Sequence, residues 1–307
     1  MTAHPREPST LGGVTTLRDR NIGATTQLAS QVSINFGSSL AGLLIPVVGA
    51  IVVVAVRQLI TAIVLVPVVR PRLRGHSLRT LSPVIGLGVI LAVMNLSFYE
   101  AVGRVGLGVA VTIEFLGPLA IALITSRRIL DVACALGAGV GVYLLAGNDG
   151  RMDVVGLLLA LLAGACWAGY ILVTRTVAAR FPGLQGLSMA SIISLVIVVP
   201  LALVVVDYSA IDWRVIGLLV AVGVLSSAIP YSLDLVVLRR ITPRLYAIIT
   251  SCAPVIAAFF GLLILGQELT LLQVAAIVLV SVSAATAIAT QREQPATPLE
   301  VTATTTP

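Results

Sequence analysis

The chain consists largely of ten apolar segments, most of them about twenty residues long, joined by short polar connections. Their approximate spans are 27–46, 48–69, 80–100, 106–126, 131–147, 154–174, 186–206, 213–236, 244–265 and 271–290. About 20 apolar residues are enough for a helix to cross a bilayer. Only 10% of the residues are charged, whereas soluble proteins have about 25%. The pattern therefore predicts an all-α polytopic membrane protein with ten transmembrane helices in the lipid bilayer.

The arginines predict how these helices are oriented, because cytoplasmic loops carry more basic residues than the opposite loops. One set of helix ends carries Arg6, Arg18, Arg20, Arg70, Arg72, Arg74, Arg79, Arg127, Arg128, Arg175, Arg180, Arg239, Arg240, Arg244 and Arg292. The opposite loops carry only Arg104, Arg151 and Arg214. This alternation predicts that both termini are cytoplasmic. The net charge of +6 is therefore a sign of topology, and no nucleic-acid partner is expected.

Segments four and nine contain a weak internal repeat. Glu114-Phe-Leu-Gly-Pro118 in one corresponds to Thr250-Ser-Cys-Ala-Pro254 in the other. Each segment is the fourth in a block of five, and an odd number of spans inverts the second block. We therefore expect a first five-helix repeat at 26–147 and a second at 154–290, between disordered cytoplasmic tails at 1–25 and 291–307. The two prolines are expected to break or kink their helices, although proline is common in membrane helices.

Glu114 and Arg57 are charged residues that the pattern places inside the membrane. They lie about eight and nine residues from the same, non-cytoplasmic ends of their segments, which puts both roughly 12–13 Å deep. At equal depth the two side chains can pair, and an unpaired charge there costs several kcal/mol. We expect the pair either to bind a substrate or a proton, or to fix helix packing as a permanent ion pair.

Four further polar residues are candidates for the same cavity. Asn95 and Tyr99 share one helix face and are followed by Glu100, so they can form a polar mouth above Glu114. The alternative is an interfacial tyrosine and a solvated carboxylate at a helix end. Asn35, near mid-depth in the first segment, either faces this cavity or bonds a neighbouring helix.

Two pairs of residues are candidates for an inner gate. Trp167 and Tyr170 lie in the cytoplasmic half of segment six, whereas Tyr231 and Asp234 lie near the cytoplasmic end of segment eight. The alternative interpretation is an aromatic belt at the membrane interface and an aspartate that faces a loop.

The sequence contains no pattern typical of an enzyme, a cofactor or a metal site. The cysteines Cys134, Cys166 and Cys252 lie in apolar segments and lack metal-ligand spacing. There is no phosphate-binding glycine motif, and no histidine accompanies a serine or threonine at membrane depth. We therefore predict no enzymatic activity, no cofactor and no metal.

Several stretches resemble the drug/metabolite transporter superfamily, its EamA-type members in particular. They are 37–51, 94–129, 164–173 and 226–241, within a resemblance that spans residues 27–290. The resemblance implies two inverted five-helix repeats in the inner membrane and export of amino acids or related metabolites, with protons as the expected coupling ion. It also implies functional roles for Arg57, Glu114, Trp167 and Asp234.

Segment nine departs from the pattern of the amino-acid exporters in this family. Their Ser-Met-Glu-Pro is Ser251-Cys252-Ala253-Pro254 here, and the glutamate of the next loop has moved by one place to Glu268. The second repeat therefore lacks an acidic counterpart of Glu114 at membrane depth.

These observations lead to one functional hypothesis with two alternatives. We expect a secondary exporter of small amino acids, similar to threonine and homoserine, or of related metabolites, working by alternating access. In it Arg57 attracts a substrate carboxylate or holds Glu114, and Glu114 binds an ammonium group or a proton in competition. The alternatives are a transporter of drugs, nucleobases or sugars, and a membrane subunit that does not transport. The oligomeric state stays open.

Overall fold

Helices make up nearly all of the chain that the structure describes, and this part contains no β-strand. The computed structural model describes residues 17–71, 75, 77–124, 129–146, 153–182, 184–237 and 240–290. Its helices are α1 (Leu17–Val48), α2 (Ala50–Val69), α3 (Leu78–Val105), α4 (Leu107–Glu114), α5 (Leu116–Ile124), α6 (Ile129–Ala146), α7 (Val154–Arg180), α8 (Gln185–Val205), α9 (Trp213–Gly223), α10 (Ile229–Val237), α11 (Pro243–Thr250), α12 (Ala253–Leu265) and α13 (Leu271–Thr290). Within these ranges nine spans are long and apolar enough to cross a membrane, and the shorter apolar α6 is a tenth. The predicted all-α polytopic fold is confirmed.

The start of the first span differs from the prediction. Helix α1 begins at Leu17, so the tail predicted for residues 1–25 extends too far into the chain. A helix of 32 residues is about 48 Å long, which exceeds the hydrocarbon core of about 30 Å. Its first turns carry Arg18, Asp19 and Arg20 and extend beyond that core, where apolar content no longer marks a helix.

The packing of the spans follows an approximate twofold repeat. We count α4–α5, α9–α10 and α11–α12 as one span each. The third span packs against the sixth and the seventh, and in the other half the eighth packs against the first and the second. Equivalent spans also pair across the halves, the second with the seventh, the fourth with the ninth and the fifth with the tenth. Because each half has five spans, the two halves are inverted, as predicted.

The fourth and ninth spans are interrupted at equivalent places. Helix α4 ends at Glu114 and α11 ends at Thr250, and a proline follows four residues after each, Pro118 and Pro254. In an unbroken helix the N–H at the proline position would donate to the carbonyl four residues earlier, but proline has no N–H. Both interruptions therefore leave a backbone carbonyl free of its helical partner, one in each repeat.

The two repeats are also joined through the loop after α12. Gly106, with a φ of 86°, makes the sharp turn from α3 into α4. The first backbone N–H of α4, at Leu107, donates to the side-chain Oε1 of Gln267 at 3.0 Å. A loop of the second repeat thus caps the helix of the first repeat that carries Glu114.

We expect Gln267→Leu to destabilise the protein by about 1 kcal/mol, because the N-terminal N–H of α4 loses its acceptor away from water. The corresponding fall in Tm is about 2–4 °C, measured by thermal unfolding of the purified chain in detergent. The matched control is Glu268→Gln at the next, exposed residue, which should leave Tm unchanged. Equal shifts in the two variants would contradict the capping role.

On the same face of the membrane, the third and sixth spans are held together by a salt bridge. Arg104 at the end of α3 donates to Asp153 at 3.0 Å, just before α7 begins. Asp153 also accepts the Gly156 backbone N–H as the N-cap of α7. This backbone hydrogen bond and the Arg104 guanidinium lower the pKa of the Asp153 carboxyl.

Candidate functional site

Arg57 on α2 lies at the centre of a polar cluster that joins three spans. Its guanidinium donates to Asn95 Oδ1 on α3 at 2.5 Å, to Ser227 Oγ at 3.1 Å and to the Ser226 carbonyl at 3.4 Å. Its Cζ lies 5.6 Å from the centre of the Tyr99 ring. A guanidinium has five N–H donors, and the described residues accept hydrogen bonds from three of those of Arg57.

The carbonyl of Ser226 is available to Arg57 because of the local helix geometry. The eighth span changes from α9 into a π-helical turn, Val224–Ala228, before α10 begins. Pro230 follows Ser226 by four residues and cannot donate the N–H that an α-helix would supply. Short π-helical turns often mark functional sites. The sequence signal for this feature, Ser226-Ser227 shortly before Pro230, was missed in the sequence analysis.

Asn95 and Tyr99 are part of this cluster, whereas Glu100 is not. Asn95 and Tyr99 are buried, and Asn95 donates to the Leu91 carbonyl while it accepts from Arg57. The Tyr99 hydroxyl is 3.3 Å from Ser38 Oγ on α1. Glu100 is exposed, because consecutive helical residues point about 100° apart and its neighbour Tyr99 faces inward. The predicted polar mouth therefore lacks its carboxylate.

Glu114 ends α4 at the same depth as Arg57. Each residue is the eighth of its helix, since α2 begins at Ala50 and α4 at Leu107. The Glu114 carboxylate is half-buried and accepts no hydrogen bond from the described residues. Its charge interacts with that of Arg57. A carboxylate at this depth with no protein donor is costly when ionised, so it favours a cationic ligand or a proton.

The structure does not show the direct ion pair that equal depth suggested. Among the described residues the salt bridge is the one between Arg104 and Asp153. The Arg57 guanidinium instead binds the neutral groups on α3 and the eighth span, which hold it away from Glu114. The two opposite charges therefore share one region without neutralising each other by contact.

The backbone at Glu114 is fixed by a close helix crossing with α7. A Cβ placed on Gly117 would lie 2.0 Å from the Gly164 carbonyl oxygen, and one on Gly164 would lie 2.8 Å from the Glu114 carbonyl oxygen. Only glycine at both positions permits this approach. The Trp167 ring packs edge-on against Phe115, with 5.5 Å between ring centres. These contacts set the position of Glu114 at the break between α4 and α5.

The four residues proposed for an inner gate do not form one group. Trp167 packs against Phe115, and Tyr170 packs in a cluster with α3 and α8 that includes Leu87. Asp234, on α10, accepts from the Tyr246 hydroxyl of α11 at 3.4 Å. The side chain of Tyr231 lies outside the described residues. The aromatic residues of α7 thus support the Glu114 backbone and the α3–α8 interface.

A row of buried polar side chains runs along α1. Gln27, Gln31, Asn35 and Ser38 are 0–5% exposed and recur at helical spacing, so they share one face. Asn35 donates to the Gln31 carbonyl within the helix. Ser38 reaches Tyr99, so one end of the row joins the Arg57 cluster. We call this row the α1 polar stripe. In the sequence analysis only Asn35 was identified, although the four-residue spacing of the glutamines was visible.

No metal site is formed by the residues described. Among them, no three His, Cys, Asp or Glu side chains are placed to hold one ion. The arrangement is instead a fixed cation, a carboxylate without hydrogen-bond partners and several neutral hydrogen-bonding groups. Groups of these kinds can form hydrogen bonds and ion pairs with a small polar ligand.

The fold and this site define a polytopic membrane protein of two inverted repeats with charged groups at membrane depth. The model of the EamA-like transporter family matches residues 154–289. The threonine/homoserine exporter RhtA of Salmonella typhimurium strain LT2 is 37% identical over 272 residues, which cover 87% of this chain and 92% of that protein. The chain belongs to the EamA-like transporter family.

Two further proteins are similar over most of the chain. The threonine/homoserine exporter RhtA of Escherichia coli strain K12 is 39% identical over 254 residues, covering 81% of this chain and 85% of that one. A solved crystal structure of a protein has a TM-score of 0.58 and 19% identity, and covers 89% of this chain and 96% of its own. At that identity the similarity shows the fold alone.

Proposed function

We propose that this chain exports small amino acids with a polar side chain, such as threonine and homoserine, across the inner membrane. The arginine pattern supports an orientation with both termini in the cytoplasm. The observation that carries the proposal concerns two charged residues at one depth. Arg57 is held by neutral partners, whereas no described residue donates a hydrogen bond to the Glu114 carboxylate. The exporters to which the chain is 37–39% identical are named for threonine and homoserine.

The chemistry of the cluster suits a zwitterion. The remaining N–H donors of Arg57 can bind the carboxylate of an amino acid, since a guanidinium recognises a carboxylate by two parallel hydrogen bonds. Glu114 can bind the ammonium group. Asn95 and Ser227 add neutral groups of the kind that hydrogen-bond a side-chain hydroxyl.

Competition at Glu114 gives a coupling mechanism. A carboxylate at membrane depth holds either the ammonium group or a proton, but not both. If the proton enters from outside and the substrate from the cytoplasm, alternating exposure of one site exchanges the two. Export then uses the proton gradient. Broken helices at the repeat interface are typical of transporters that work this way.

The test is transport by the purified full-length chain in proteoliposomes with an imposed pH gradient. Radiolabelled threonine and homoserine are expected to move against their concentration gradients, and empty liposomes serve as the blank. Nucleobases, sugars and cationic dyes form the comparison set. Transport of one of these with no amino-acid flux would contradict the proposal, as would a folded protein that moves none of them.

We expect Arg57→Met to raise the half-saturation concentration for threonine by about 10- to 100-fold, because a hydrogen bond to a charged group contributes about 1.5–3 kcal/mol. Arg57→Lys should lie between this variant and the wild type, since lysine keeps the charge but not the paired donors. The measurement is the initial rate against threonine concentration. Arg104→Met is the control, because Arg104 is exposed in a distant salt bridge. An unchanged value for Arg57→Met would exclude the carboxylate role.

A further inference from the structure

A second polar cluster lies at the other end of the α1 polar stripe, where α1 meets α10 and α11. Gln27 Nε2 donates to Thr250 Oγ1 at 3.1 Å, and Gln31 Nε2 lies 3.5 Å from the same oxygen. The Thr250 hydroxyl donates to the Tyr246 carbonyl at 2.9 Å. The Thr250 hydroxyl therefore has its one donor and both of its acceptor positions occupied. It holds both glutamine side chains towards α11.

The contacts of α1 set the depth of Asp234 relative to this cluster. At one end Gly37 packs on Ser226, and at the other Gly23 packs on Ile241. The stretch from Gly23 to Gly37 is nearly as long as the stretch from Ser226 to Ile241, and the two stretches run in opposite directions. Asp234 on α10 lies eight residues from Ser226 and seven from Ile241, about midway along the chain between the two contacts with α1.

Gln27 and Asp234 each have a side-chain oxygen that accepts no hydrogen bond from the described residues. Gln27 is 0% exposed, and its Oε1 has no hydrogen-bond partner in the described part of the chain. An unpartnered buried amide oxygen costs about 1–3 kcal/mol. Asp234 is half-buried, accepts from the Tyr246 hydroxyl and forms no salt bridge with the described arginines. An amide oxygen and a carboxylate without a cation together select a donor that is positively charged.

We propose that Gln27 and Asp234 form an inner binding site that receives the primary ammonium group of the amino acid before it reaches Arg57. The inference rests on the proposed function. Along α1 the distance from Gln27 to Ser38 is about 16 Å, which is farther than one small amino acid can span. The substrate thus occupies the two sites in turn, and the stripe residues between them, Gln31 and Asn35, lie along its path.

The test uses inside-out membrane vesicles from cells that produce the full chain, so that the cytoplasmic face is supplied with substrate. For Gln27→Leu and Asp234→Asn we expect the half-saturation concentration of homoserine on that face to rise about 10-fold or more. The half-saturation concentration measured from the opposite face, in right-side-out vesicles, should stay within about twofold, and the maximal rate from that face should fall instead, because the ratio of the two limiting rates is fixed by the gradients. A purely structural role would lower the amount of folded protein and affect both faces alike.

The ammonium group is tested with a substrate analogue. The hydroxy acid that differs from homoserine only by a hydroxyl in place of the ammonium group is used as a competitor on the cytoplasmic face. It should inhibit the wild type far more weakly than homoserine does, and the two variants should lose this difference. If sodium or potassium ions, and not the ammonium group, determine the difference between wild type and variants, the assignment is wrong.

Ser281→Ala is the matched control, because Ser281 on α13 is also buried, its hydroxyl has no partner among the described residues, and it lies outside the cluster. This variant should leave the half-saturation concentration for homoserine unchanged on both faces. Thermal unfolding of each variant checks that it is folded, and Asp234→Glu, which keeps the charge, should recover most of the lost affinity. If wild-type vesicles move no amino acid, the proposed function fails and the inner site with it. If they do and the variants match them, the inner site alone is refuted.

Discussion

Glu114→Gln is expected to lower accumulation of threonine driven by a pH gradient by about 10- to 100-fold, while exchange of threonine across the membrane persists with a raised half-saturation concentration. Glutamine has nearly the shape of glutamate but cannot take up and release a proton. The structure shows no hydrogen bond to this carboxylate from a described residue, so the substitution removes no protein contact. The free energy that couples proton binding to substrate binding is then lost. A coupling free energy of about 1–3 kcal/mol corresponds to a fall in gradient-driven transport of about 10- to 100-fold.

The measurement is uptake into proteoliposomes, with and without a pH difference, beside counterflow at equal pH. Glu100→Gln is the control, because Glu100 is the exposed carboxylate near the end of α3 that the structure leaves out of the Arg57 cluster. It should behave as the wild type does. Full pH-driven accumulation by Glu114→Gln would remove Glu114 from the coupling mechanism.

Gly117→Ala is expected to be the most destabilising of the single-methyl substitutions considered. The added carbon would lie 2.0 Å from a backbone oxygen of Gly164, and backbone atoms cannot move aside as a flexible side chain can. Overpacking of a tight core costs about 1–3 kcal/mol, and this contact belongs at the upper end. Because the same crossing positions Glu114, transport should fall together with Tm.

Gly139→Ala on α6 is the control for this effect. A Cβ there meets nothing within 4 Å, so the substitution should raise helix stability slightly through propensity alone. Both variants are compared by thermal unfolding in detergent and by threonine counterflow. A Tm for Gly117→Ala that equals the wild-type value would show that the crossing is looser than the structure has it.

The sequence predicted the spans well because lipid imposes a simple rule on them. Apolar length and the side on which arginines lie are properties of each segment alone, so Ala50–Val69 or Leu271–Thr290 can be recognised without its neighbours. The same rule explains the error at α1. Its first turns lie beyond the hydrocarbon core, where a helix has no need of apolar residues.

The site was predicted less completely because its contacts depend on tertiary packing. Depth placed Arg57 and Glu114 at one level, but it gave no information on the direction in which each side chain points. Ser226 and Ser227 are partners of Arg57 through a π-helical turn, and Pro230 indicates an interruption there without indicating which side chain the turn serves. Gln27 is a polar residue at the edge of an apolar segment, and only the structure shows that it is buried against α11.

The α1 polar stripe has a consequence for how the protein is made. Gln27 finds its partner 223 residues later, at Thr250, and Ser33 finds its own 192 residues later, at Leu225. A chain is synthesised from its N-terminus, so the first span enters the membrane long before these groups exist. Until the eighth and ninth spans arrive, Gln27 and Ser33 lack these partners. Assembly of the two repeats therefore stabilises the first span in lipid. In a ribosome-bound chain that ends before the eighth span, the first span should be inserted less stably in the membrane.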